Sequence, residues 1–229
     1  MPAIRIIIPV YNQAQALSFC LESISKQDFS DYEIIVVNDG SKDNVDSVCA
    51  NWSKRIPVHL VTQNNRGAPS ARNRGAENAS TEYLLFCDAD VKLHKNFLKK
   101  TYLALANDPK ASFCYTSFMY GWKFFRLMPF NRRKLEKNPY IHTTSLIRRK
   151  YFPGFDESLK RFQDWDLFLS MTKNGGYGIY IPEILFSIEP KGTMSTWLPK
   201  GAIKLLPFLP LVKKYRHHER IIKEKHGLL

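Results

Sequence analysis

Long apolar runs are missing from this chain. Stretches such as Ile6-Ile7-Ile8 with nearby Val10 and Ile34-Ile35-Val36-Val37 are several-fold shorter than the roughly 18 residues of a membrane-spanning helix, so no transmembrane helix is expected. The opening MPAIRIIIPVYN has too short an apolar stretch for a secretory leader and no small-residue cleavage site, which argues against a signal peptide. Cysteine is scarce. Cys20, Cys49, Cys87 and Cys114 lie about 30 residues apart without a Cys-x-x-Cys pair, which argues against a zinc cluster and for buried thiols in a reducing compartment. Two phosphate-binding signatures are absent as well. Residues 67–75 contain no G-x-x-x-x-G-K-[ST], and no G-x-G-x-x-G follows a strand pattern, so neither a P-loop nor a Rossmann dinucleotide site is available.

Acidic residues are also in short supply, 21 against 34 lysines and arginines, for a net charge of +13. The imbalance is confined to two blocks. Residues 1–118 sum to +1, 119–150 to +8, 151–195 to −2 and 196–229 to +6. Such blocks are either solvated faces or contacts to a polyanion, whether nucleic acid or an anionic membrane surface. At 229 residues, 44% hydrophobic and 24% charged, the chain has globular composition and the length of one large domain or one domain with a short appendage.

The apolar pattern of the first half predicts alternating strands and helices. Residues 4–9 and 33–37 are β-branched runs that read as strands buried on both faces. Between them Leu17, Cys20, Leu21 and Ile24 recur at the spacing of a helix lying on a sheet. The alternation continues with a helical stripe of Val45, Val48, Cys49 and Trp52, a strand at 58–62, a small-residue helix at 68–79 and a strand at 83–87. This order predicts a doubly wound α/β sheet, whose ligands bind beyond the carboxyl ends of the strands. Polar residues gather at those ends: Pro9-Val10-Tyr11-Asn12, Asn38-Asp39-Gly40-Ser41 and Asp88-Ala89-Asp90. Three carboxylates thus converge on one edge, as a nucleotide site would require. Further on, 141–147 and 177–181 read as strands and 164–173 as a helix, while 118–140 is aromatic and basic without period.

Five motifs in order resemble the inverting family 2 glycosyltransferases, which have the GT-A nucleotide-sugar fold. They are Ile8-Pro9-Val10-Tyr11-Asn12; Val37-Asn38-Asp39-Gly40-Ser41; Asn65-Arg66-Gly67 with Ala71-Arg72-Asn73-Arg74-Gly75; Asp88-Ala89-Asp90; and Gly154-Phe155-Asp156-Glu157 leading to Gln163-Asp164-Trp165-Asp166-Leu167. The resemblance covers about residues 3–195. It implies a mostly parallel central sheet flanked by helices, with a nucleotide-binding half at 1–118, an acceptor-side half at 119–195 and a basic amphipathic tail at 196–229. It also implies transfer of a sugar, with inversion, from a nucleotide sugar to a glycan or lipid-linked acceptor.

By the same resemblance Pro9, Tyr11, Asn12, Asp39, Arg72 and Asp88 line the nucleotide. A carboxylate at Asp39 suits the N3 proton of uracil better than the bare N3 of cytosine, which favours UDP and leaves TDP and GDP open. Asp88 and Asp90 match the DxD motif and imply Mn²⁺ or Mg²⁺, held by oxygen ligands. The histidine that many relatives supply from a late loop is missing here, with Glu189 or Lys191 as its replacement. Asp164 matches the catalytic base, with Asp166 as its competitor, and Trp165 and Asp166 fall on the acceptor side. A basic tail from Trp197 onward, with an apolar segment broken by Pro199, Pro207 and Pro210, has the character of an interfacial anchor; packing of the same residues on the domain is the alternative. The expected location is cytoplasmic, with an anionic membrane surface as a candidate partner and no nucleic acid. A silent sugar-nucleotide-binding protein and a basic nucleic-acid module remain as competing readings.

Overall fold

The computed structural model describes residues 2–189 and 208–229. A single mixed sheet of nine strands runs β3-β2-β1-β4-β8-β6-β9-β5, with β7 pairing on β6. Its first part is the parallel core expected from the sequence: β1 (Ile4–Val10), β2 (Tyr32–Asn38), β3 (Val58–Thr62) and β4 (Tyr83–Phe86) pair in parallel. β1 and β4 are buried along almost their whole length, so both faces must be covered. Helix α1 (Ala14–Ser25) covers one face with Leu17, Cys20, Leu21 and Ile24. α2 (Val45–Trp52) turns Val45 and Cys49 inward. All four cysteines are free and buried.

Helix α3 (Ala68–Ala76) is built from small residues because it sits close against the sheet. A Cβ on Gly75 would stand 2.4 Å from Ile7 Cγ2 and 3.2 Å from Val37 Cγ2, both atoms of buried strand residues that have no room to retreat. Gly75→Ala is therefore expected to destabilise the fold by about 1–3 kcal/mol through overpacking, read as a lowered denaturant midpoint; an unchanged midpoint would mean α3 can lift off the sheet at no cost. The helix ends three residues before the expected 79, and Asn78 with φ 52° takes the left-handed conformation that turns the chain.

The second part of the sheet is mixed. After β5 (Val91–Leu93) and α4 (Phe97–Ala106), β6 (Phe113–Tyr120) runs antiparallel to β8 (Leu146–Arg148) and parallel to β9 (Gly178–Ile188). The stretch expected to be irregular contains β7 (Lys123–Phe125) and α5 (Arg132–Lys137), the latter capped by Asn131, whose side chain accepts from the Lys134 N–H. The strand expected at 141–147 forms only from Leu146. Before it, His142 Nδ1 accepts the Thr144 N–H at 3.0 Å and Ser145 Oγ donates to the His142 carbonyl at 2.7 Å. These local side-chain bonds replace a strand ladder. Helix α6 (Gln163–Thr172) carries the last of the sequence motifs.

The tail is not an appendage where it is described. Helix α7 (Pro210–Lys225) buries Val212 and Ile222 completely, and Tyr215 meets Phe162 edge to face at 5.0 Å. At its end Lys225 Nζ bridges Asp156 at 2.7 Å and Asp166 at 2.9 Å, and His226 Nε2 lies 2.8 Å from Asp166. Packing on the domain thus corrects the expectation of a separate tail for residues 208–229. Its proposed boundary at 195/196, Lys191, and the apolar residues Trp197, Leu198, Ile203, Leu205 and Leu206 lie outside the described residues. Among the described residues, no helix is long and apolar enough to cross a membrane.

The Lys225 contact carries a pH signature. Its hydrogen bond, with that from Ser158, holds the Asp156 carboxyl down at about 2 against an ordinary 3.8. A carboxylate with a depressed folded-state pKa stabilises fully above its unfolded pKa and loses that stabilisation as the pH falls through the folded value. Stability is therefore expected to drop between about pH 4 and pH 2, and the drop should vanish in Asp156→Asn; a parallel acid transition in that variant would assign the loss to other groups.

Candidate active site

The carboxyl ends of β1, β2 and β4 meet at one edge, and their loops are laced together. Asn12, with φ 52°, accepts the Lys42 N–H on Oδ1 at 2.7 Å and donates its own N–H to Ser41 Oγ at 3.0 Å. Tyr11 beside it is 46% exposed at the rim, while Pro9 is buried in the strand. Asn38 is buried, its amide donating to Asp46 and its Oδ1 accepting the Ser41 N–H. Asp39, also buried, accepts three bonds: Gln63 Nε2 at 2.8 Å and the Arg66 N–H at 2.9 Å on Oδ1, and the Gly67 N–H at 2.8 Å on Oδ2. It folds the segment after β3 across the sheet edge. Gly67 opens α3 with φ 89°, a conformation that favours glycine. Gln63 and Arg66 also line a recess of about 320 Å³ with Ser70, Arg74 and Glu157.

Helix α3 joins three motifs that are distant in sequence. Arg72 is buried; its Nη2 donates to Asp88 Oδ1 at 2.6 Å, its Nη1 to Gln163 Oε1 at 3.0 Å, and its guanidinium stands 5.3 Å from the centre of the Phe155 ring. Its Nε, buried, has no hydrogen-bond partner among the described residues. Asn73 clamps Phe155 through both backbone groups, at 2.8 and 2.9 Å, and reaches Glu157 Oε1 at 3.1 Å. The strand-end aspartates and the start of α6 are thereby fixed relative to one another.

Charge follows from this geometry. Burial works to raise the Asp88 pKa, but Arg72 and His142 together hold it below the ordinary carboxylate range. Asp90, half-buried and beside the negative Asp88, is pushed up to about 6. Burial also raises Asp164, against the opposing pull of His142 and the Trp165 N–H, which donates to Asp164 Oδ1 at 2.8 Å. His142 itself is held below its usual value by burial, although Asp88 and Asp164 both favour its charged form. Neither His142 nor Gln163 was singled out from the sequence. His142 falls in the run read as a strand at 141–147, with no motif around it, whereas Gln163 lies inside one and could have been recognised as a side chain able to orient Arg72.

Two expected positions are corrected. Trp165 is 1% exposed and donates its indole N–H to the Leu135 carbonyl at 2.6 Å; it packs α6 onto α5 and has no surface to offer an acceptor. Asp166, two residues past Asp164 and so about 200° around the helix, faces α7 and is covered by Lys225 and His226. It is an anchor for α7 rather than an acceptor contact. Glu189 does come to the site, its N–H bonding the Asp90 carbonyl at 3.1 Å, but its carboxylate pairs with Lys92.

Comparison with known proteins decides the family. The family model for glycosyl transferase family 2 matches residues 5–165. The chain belongs to this family. A beta-1,3-glucosyltransferase of Campylobacter jejuni, whose name gives GalNAc(5)-diNAcBac-PP-undecaprenol as its substrate, is 28% identical over 98% of this chain and 78% of its own. The uncharacterised glycosyltransferase YibD of Escherichia coli is 36% identical over 113 residues, 48% of this chain and 33% of that protein. This chain thus spans only about a third of that relative's length, and the match to the glycosyltransferase GlyA of Streptococcus pneumoniae covers 14% of GlyA. The fold is shared with residues 1–349 of Staphylococcus aureus TarS in complex with UDP-GlcNAc (TM-score 0.74, 18% identity, 98% of this chain and 71% of that one). It is shared also with a mannosyltransferase of Pyrobaculum calidifontis in complex with GDP-Man and Mn²⁺ (TM-score 0.67, 20% identity, 89% and 59%).

Proposed function

We propose that this family member transfers one sugar from a UDP-sugar to a hydroxyl of a glycan carried on a lipid diphosphate, with inversion at the anomeric carbon. The observation that carries the reading is the Arg72 hub, which ties Asp88 of the DxD motif to Gln163 at the start of the Asp164 helix. The nucleotide sugars bound by the solved neighbours and the lipid diphosphate in the name of the Campylobacter relative support the two substrate classes.

The roles follow from donor and acceptor chemistry. A carboxylate offers about four lone-pair sites; Asp39 has three occupied, which leaves one on Oδ2 for the N3 proton of uracil. Asp164 keeps Oδ2 as the oxygen that takes the acceptor's proton, since Trp165 engages Oδ1. A raised pKa makes it a stronger base than an exposed aspartate. As the hydroxyl oxygen bonds to the anomeric carbon, the bond from that carbon to the diphosphate breaks and UDP leaves with its electron pair. One base is enough for this single displacement.

Asp88 and Asp90 suit a divalent cation. Among the described residues no group of three or more His, Cys, Asp or Glu comes together at metal distance, so two carboxylates would be joined by diphosphate oxygens and water, a donor set that Mg²⁺ and Mn²⁺ accept. Burial first, and the negative charge of Asp88 second, raise the Asp90 carboxyl. When bound, such an ion supplies positive charge against the departing diphosphate.

The test is UDP release from a panel of UDP-, GDP- and TDP-sugars with Mn²⁺ or Mg²⁺, with and without EDTA. Release from a UDP-sugar that EDTA abolishes is expected, together with loss by orders of magnitude in Asp90→Ala. Equal release with EDTA would remove the metal, and no release from any donor would remove the transferase reading.

A further inference from the structure

A second recess lies beside α7. It is a groove of about 480 Å³ between the loop at 158–161 and the helix, lined by Lys160, Arg161, Lys214, His217 and His218 with Leu159 and Ile221 at its apolar part. We propose that this groove seats the diphosphate of the lipid-linked acceptor, a proposal that rests on the transferase reading above.

Three observations lead there. First, among the described residues the lining of the groove holds Lys160, Arg161 and Lys214 and no carboxylate, in contrast to the recess next to Asp39, where Glu77 and Glu157 accompany the arginines. Of the acids on or beside α7, Asp156 and Asp166 are engaged by Lys225, Glu219 by Lys223 and Glu224 by Arg220. A lining of this sign suits a compact dianion. Second, the groove adjoins the segment that leads into the base. Arg161 precedes Asp164 by three residues, and between them Phe162 packs edge to face on Tyr215 of α7 at 5.0 Å. The donor's diphosphate belongs to Asp88 and Asp90, so an anion here arrives with the acceptor. Third, the cations continue into an apolar track. Leu211, Lys214, His218 and Ile221 recur at the spacing of one helical face, and Leu211 and Phe208 at the start of α7 are 38% and 64% exposed. A charged seat that leads onto exposed hydrocarbon fits a prenyl diphosphate better than a nucleic-acid backbone.

The probe is farnesyl diphosphate, titrated calorimetrically into the full chain in EDTA, so that no divalent ion draws it to the aspartates. Saturable binding is expected, and Lys160→Glu with Lys214→Glu, one exposed residue from each wall, should weaken it about tenfold or more by turning attraction into repulsion. Lys99→Glu, an equal charge change at an exposed position of α4, should leave it unaltered, and all variants should melt near the wild-type temperature. Tighter binding of farnesyl diphosphate than of inorganic pyrophosphate supports the lipid-linked source; equal affinity overturns it in favour of a free anion. Wild-type affinity in the double variant overturns the groove. Phosphatidylglycerol vesicles that lose the double variant while farnesyl diphosphate fails to bind would assign the patch to a membrane surface instead. Because no donor or metal is present, absence of UDP release in the earlier assay strikes the transferase reading alone.

Discussion

Asp164→Asn is expected to bind the donor as the wild type does and to turn over about 10²–10⁴ times more slowly, the usual contribution of a general base. The amide preserves the shape and the bond from the Trp165 N–H but cannot accept a proton. Burial raises the Asp164 pKa, so removal of the charge costs the fold little; the loss should appear in kcat with the donor KM unchanged. Asp166→Asn separates chemistry from support. Asp166 is 5% exposed at the side chain and held by Lys225 and His226, so its loss should lower thermal stability and leave most of kcat in the folded enzyme. A dead Asp166→Asn beside an active Asp164→Asn would exchange the two roles.

Removal of residues 208–229 is expected to have the second large effect, on stability. Val212 and Ile222 have no exposed surface, and each fully buried aliphatic side chain contributes about 1.5–3 kcal/mol. Deletion would in addition leave Asp166 without Lys225 and His226, which cover it, and breaking a buried pair from one side is costly. At about 2–4 °C per kcal/mol for a chain of this size, a melting temperature lower by about 10 °C or more is expected. A truncated chain that melts with the full-length protein would show that α7 rests on the surface and would restore the independent tail.

What could be read in advance, and what could not, has physical reasons. β1, β2 and β4 are buried on both faces, so their sequences are plain apolar runs, and α1 shows its core stripe in four residues. β6 was hidden because Thr116 and Ser117 lie in its buried middle, where Ser117 Oγ meets the Tyr180 hydroxyl at 2.7 Å and accepts the Leu127 N–H; hydrogen bonding lets polar side chains occupy a core position that hydropathy does not mark. At the site, the strand-end carboxylates and Asp164 were legible as motifs. Their connection was not, since Arg72 reaches Asp88 and Gln163 across 16 and 91 residues. Trp165 and Asp166 sit within a motif yet point elsewhere, because consecutive helical residues face directions about 100° apart. The tail misled in another way. Its basic residues drew attention, whereas Val212 and Ile222, ten residues apart on one helix face, decide where α7 packs.

The central claim is that the edge formed by Asp39, Asp88 and Asp90 is where a nucleotide diphosphate binds with a divalent ion. Calorimetric titration of UDP into the wild type and Asp90→Ala, each with Mn²⁺ and with EDTA, tests it most directly. The account predicts binding by the wild type with Mn²⁺, and a loss of most affinity in EDTA or in Asp90→Ala. Equal UDP affinity in all four titrations would contradict it.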